Sequence, residues 1–120
     1  MIVTAWKGGN SNRQSSAGYG LKVAIEDRDR YFSKDWKSVV LYLADHLTTA
    51  KANVDKPSFW NDTCHELISK DIGLWLIDSG IAPWPKGKPP KFFMEHISEA
   101  HFLVCPIKCG LVEAIKKLSQ

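Results

Sequence analysis

The sequence predicts an α+β domain: a mainly antiparallel sheet of five or six strands packed by one main helix, with a short helix near the C-terminal end. Three observations predict it. Short runs of strand-like periodicity precede one long helix-like run, instead of alternating with helices as βαβ units would. At 120 residues the chain has room for a single core. Its 44% hydrophobic and 24% charged residues match a globular chain and exclude a disordered or fibrous one. We place the domain at 1–104 and read 105–120 as a tail.

Residues 2–7 form a short strand with a β-branched start. The stretch 8–18, rich in Gly, Asn and Ser, is a loop longer than an ordinary hairpin turn. Leu21-Lys22-Val23-Ala24-Ile25-Glu26 alternates cleanly, so Leu21, Val23 and Ile25 share one strand face. Asp27-Arg28-Asp29-Arg30 then reads as a solvated turn. Residues 36–44 are apolar on both faces, the pattern of a strand in the middle of a covered sheet. A turn at Asp45-His46 leads to a weaker strand over 48–54, which Lys56-Pro57 ends.

The main helix is expected over 61–79, with Asn61 or Thr63 as cap, Asp62 and Glu66 at its positive end, and Gly80 at its exit. Cys64, Leu67, Ile68, Ile72 and Trp75 would share its apolar face, and Asp71 falls on that same face. Four prolines forbid regular structure over 81–90. Strands follow at 91–97 and 101–105. Leu111, Val112, Ile115 and Leu118 then stand at helical spacing within 110–118. The expected core is Leu21, Val23, Ile25, Leu41, Leu43, Leu67, Ile68, Ile72 and Trp75.

The residues Ala5-Trp6, Ala17-Gly18-Tyr19-Gly20, Arg28-Asp29-Arg30-Tyr31-Phe32, Pro57-Ser58-Phe59-Trp60 and Ala82-Pro83-Trp84-Pro85-Lys86-Gly87, the last running on through Lys88-Pro89-Pro90-Lys91-Phe92, carry a resemblance. With them the chain, over roughly residues 1–104, resembles a family of small uncharacterised bacterial proteins, some encoded on mobile integron gene cassettes. The resemblance implies one small cytoplasmic bacterial domain and brings no activity, cofactor or catalytic residue with it. The tail from Cys105 departs from the pattern.

Composition narrows the function classes. No run approaches the roughly 18 apolar residues of a membrane span, so no membrane partner is expected. The first residues lack a secretory signal, which points to the cytoplasm. Three cysteines, an odd number, then read as free thiols. The net charge of +3 is unevenly spread. Residues 1–25 hold Lys7, Arg13 and Lys22 with no acid, and 79–94 hold Lys86, Lys88 and Lys91 with no acid. If these segments meet, they form a positive face on a nearly neutral protein.

Each chemical constellation has a plainer competitor. His96, His101, Cys105 and Cys109 are zinc-type ligands, but their spacing lacks the tight cysteine knuckle of structural sites, and we expect no metal. No motif places a nucleophile beside a base, and no glycine pattern forms a phosphate loop, so no cofactor is expected. The unusual feature is Trp84-Pro85-Lys86-Gly87-Lys88-Pro89-Pro90-Lys91, an aromatic plate and three cations on a stiff backbone. Single-strand nucleic-acid binders combine cations for phosphates with aromatic rings for bases. In the plainer reading Trp84 only anchors the crossover to the core.

The leading expectation is a non-enzymatic binding or interaction module, for nucleic acid or another anionic partner. It would act through the basic segments 7–22 and 84–91, with Lys7, Arg13, Trp84, Lys86, Lys88 and Lys91 as contacts. One alternative is a homo-oligomer formed through residues 105–120. The other is a small enzyme with a pocket near Asp71.

Overall fold

The computed structural model describes residues 1–8, 18–43 and 48–107. Along the chain lie β1 (Ile2–Lys7), β2 (Tyr19–Val23), α1 (Ile25–Tyr31), β3 (Ser38–Leu43), β4 (Thr48–Asn53), α2 (Pro57–Trp60), β5 (Glu66–Ile68), α3 (Lys70–Asp78), β6 (Lys91–Ser98) and β7 (His101–Pro106). The strands make one sheet in the order β4-β3-β7-β6-β1-β2-β5. Every neighbouring pair is antiparallel except β3 and β7, which run parallel. The sheet curls until its edge strands β4 and β5 touch, and α3 lies against β2 and β4 across that closure. The domain is therefore α+β but dominated by a mixed sheet of seven strands. The expected five or six antiparallel strands under one main helix are corrected to that extent.

The core fills the inner face of the curl. Val3 and Ala5 of β1, Leu21 and Val23 of β2, Leu41 and Leu43 of β3, Phe92 and Met94 of β6, and Phe102 and Val104 of β7 all point inward and are buried. This period-2 burial is what alternating strands produce when one sheet face is covered. Ile72, Trp75 and Leu76 of α3 close the interior. Of the expected core, Leu21, Val23, Leu41, Leu43, Leu67, Ile72 and Trp75 are buried, whereas Ile25 and Ile68 are half-buried.

The largest correction concerns 61–79. Only Lys70–Asp78 is helical, and Ser69 is its cap, accepting the Asp71 N–H at 3.1 Å. Asn61 does cap backbone N–H groups, those of Thr63 at 3.0 Å and Cys64 at 2.7 Å, but it caps a turn that no helix continues. His65, at φ 47°, diverts the chain, and Glu66, Leu67 and Ile68 pair with Lys22, Leu21 and Gly20 as an edge strand. The edge of β2 thus takes residues whose side-chain spacing also suits a helix. Leu67 is fully buried by this pairing.

Two further corrections follow. The charged run 27–30 lies inside α1, a helix with Glu26 and Asp27 in its first turn and Arg28 and Arg30 in its last, the order its dipole favours. The strand within 36–44 is second from an edge, with Tyr42 on its outward face 38% exposed, not a strand covered on both sides. The turn at Asp45-His46 and the helix expected over 110–118 lie outside the described residues. The irregular stretch 81–90 and the strands β6 and β7 match the expectation within one residue at all ends but one.

Candidate functional site

The two acid-free segments come together at the far end of β1. That strand pairs on one side with β2, Lys7 opposite Tyr19, and on the other with β6, Thr4 opposite Lys91. The pairing runs on past β6 into the proline-rich segment, because the Ala5 N–H donates to the Pro90 carbonyl at 2.8 Å. Farther along, the Trp84 ring meets Tyr19 edge-on, with centroids 5.6 Å apart and planes at 62°. Tyr19 is only 1% exposed. The crossover before β6 is therefore pinned against the β1–β2 hairpin at both ends.

Between those pins the chain makes a tight turn. The Lys88 N–H donates to the Pro85 carbonyl at 3.1 Å, and Gly87, third of the four residues, has φ 78°. A left-handed glycine in third place and the closing hydrogen bond are features of a type II-like turn. Lys86 and Lys88 flank Gly87 and are exposed, as are Lys7 and Lys91. Among the described residues none of these four lysines has an acid within 4.0 Å. A concavity of about 510 Å³, lined by Ile77, Gly80, Ala82 and Pro83, opens beside the root of the turn.

The structure does not treat all six expected contacts alike. Trp84 is half-buried and packed against the core, so it anchors the crossover while leaving part of its ring accessible. Arg13 lies outside the described residues. Lys22, within the same basic segment, sends Nζ to the Thr63 carbonyl at 3.2 Å and is opposite Glu66. It serves the β2–β5 edge.

The other constellations separate. Asp71, expected on a buried helical face, sits exposed in the first turn of α3. It lines a cavity of about 240 Å³ with Thr48, Leu74, Trp75 and Asp78, and Asp78 is exposed too. Trp75 Nε1 is buried without a hydrogen-bond partner among the described residues. His96 Nε2 bonds the Glu99 carbonyl at 2.5 Å, and His101 Nδ1 bonds the Tyr42 hydroxyl at 2.9 Å. Among the described residues no three metal-ligating side chains converge, and Cys109 lies outside them.

Cys64, His65 and Glu66, expected on a helix, instead lead into β5, of which Glu66 is the first residue. Cys64 is half-buried, while His65 and Glu66 are buried, with His65 Nδ1 bonded to the Val23 carbonyl. Burial holds the Lys56 ammonium below the usual lysine range, partly offset by the Glu66 carboxylate and Cys64 nearby.

Arg28 is the polar residue that the sequence reading missed. It is 5% exposed and donates through Nη1 to the carbonyls of Phe59 at 3.1 Å and Asn61 at 2.6 Å. Its guanidinium also pairs with Asp29 at 3.0 Å and lies 5.3 Å from the centre of the Trp60 ring. The arginine clamps α1 to the end of α2 and the turn that follows it. Nothing in a run of alternating charges distinguishes it from its neighbours.

Neither protein-family models, nor curated proteins, nor solved structures gave a match to this chain.

Proposed function

We propose that this protein is a non-enzymatic binding module for an anionic polymer of the nucleic-acid class, with Lys7, Lys86, Lys88 and Lys91 as its phosphate contacts and the open part of Trp84 beside them. Arg13, in the same basic segment, completes the set. One observation carries the reading: the Ala5–Pro90 hydrogen bond and the Tyr19–Trp84 contact bring two segments without a single acid to the same end of the sheet. Cations there add their fields, and among the described residues none of the four lysines is neutralised by an ion pair. The proline-bounded turn also fixes its lysines before anything binds, which lowers the ordering entropy that association costs.

The reading predicts binding that weakens steeply with salt, because each neutralised phosphate releases a counterion. Fluorescence anisotropy of a labelled, mixed-sequence single-stranded oligonucleotide is the direct assay. Replacing Lys86→Glu and Lys88→Glu together should abolish binding at low salt. Both side chains are exposed, so the circular dichroism of the variant should match the parent. Affinity unchanged by that double reversal would remove this surface from consideration. The bacterial, cassette-type origin that the resemblance implies belongs to the same proposal.

A further inference from the structure

The outer face of the sheet carries an apolar stripe that crosses four strands. Tyr42 on β3 is opposite Leu103 on β7, Cys105 on β7 is opposite Phe93 on β6, and Phe93 is opposite Ile2 on β1. Tyr42, Phe93 and Ile2 are 38%, 36% and 45% exposed, while their chain neighbours Leu41, Leu43, Phe92, Met94 and Val3 point inward and are essentially fully buried. An antiparallel face turned to water normally alternates to polar residues, and contiguous apolar patches mark contacts. This face is built to be covered.

We infer that the chain's own C-terminal segment, residues 108–120, covers it. β7 itself runs through the stripe and ends at Pro106, the partner of Phe92, and the segment follows one residue later in the chain, after Ile107. In that segment Leu111, Val112, Ile115 and Leu118 stand at helical spacing, a second apolar stripe with no partner in the sequence around it. A helix over 110–118 would be about 13 Å long. The span from β3 to β1, three strand spacings, is about 14 Å. The charges also agree: Glu95, exposed on the same face opposite Leu103, is the acid closest in register to the stripe, and the segment brings Lys116 and Lys117. The inference is independent of the anion-binding reading.

Methyl-labelled full-length protein tests it. Nuclear Overhauser contacts from the Ile115 and Leu118 methyls to the Tyr42 and Phe93 rings and the Leu103 and Ile2 methyls are expected, and they should persist when the labelled chain is diluted with unlabelled chain. Their absence would overturn the inference, and so would contacts seen only between differently labelled chains, which would assign the face to a dimer. Ile115→Asp keeps the full chain. It should shift the amides of Tyr42, Phe93 and Leu103, leave those of Ile72 and Leu76 in place, and raise the fluorescence of an apolar-surface dye several-fold. An unchanged spectrum with no added dye binding would contradict the assignment.

Discussion

Arg28 sits in a run of four charged residues, Asp27-Arg28-Asp29-Arg30, yet its side chain is 6% exposed and holds two backbone carbonyls of the 59–61 turn. Arg30, two residues on, is exposed. The difference arises from position on α1: only Arg28 faces the turn that follows α2. Replacing Arg28→Met would leave the carbonyls of Phe59 and Asn61 without this donor, and losing a charged hydrogen bond costs about 1.5–3 kcal/mol. Urea denaturation should register that loss for Arg28→Met and next to none for Arg30→Met. Equal, small effects would mean that the clamp contributes nothing to folding. The same side chain shows where a sequence stops being informative. Charge type is visible along the chain, but which charge meets which carbonyl depends on contacts across more than thirty residues.

Among the elements, legibility follows how local the contacts are. β6 and β7 are neighbours in sequence, joined by the Glu99-Ala100 turn, and their apolar alternation needs no distant strand to be read. β5 is the opposite case. It has three residues, and Leu67 and Ile68 stand at helical spacing from Ile72 and Trp75, so periodicity alone joins them to α3. What makes them a strand is the open edge of β2, forty-odd residues earlier. Gly20 permits that approach: a Cβ there would lie 2.4 Å from the Leu67 carbonyl oxygen. Gly20→Ala should therefore push β5 off the edge at a cost of about 1–3 kcal/mol. Hydrogen exchange should show lost protection at Leu67 with β6 and β7 still protected. Protection retained at Leu67 would mean that the edge yields without cost.

At the scale of the whole molecule, the basic segments were readable as composition, and their meeting was not. The turn with Lys86 and Lys88 is local, closed by the Lys88 N–H on the Pro85 carbonyl with Gly87 at positive φ, within a stretch that its prolines mark only as irregular. Its placement toward the same end of the sheet as Lys7 depends on the register of β1 against β6, which sets Ala5 beside Pro90. The register also decides what each cation does. Lys22 is taken up by the β2–β5 edge, whereas Lys7, Lys86, Lys88 and Lys91 have no acid beside them among the described residues. Among the described residues no helix is long and apolar enough to cross a membrane, and the anionic partner proposed is a polymer.

An amide NMR fingerprint of the labelled protein, recorded with and without a short mixed-sequence single-stranded oligonucleotide at low and moderate salt, bears most directly on that proposal. The account predicts shifts confined to residues around Lys7 and to 84–91, strong at low salt and fading as salt is added. A spectrum that stays the same at low salt, or shifts that gather on α3 and β4 around Asp71 instead, would contradict it.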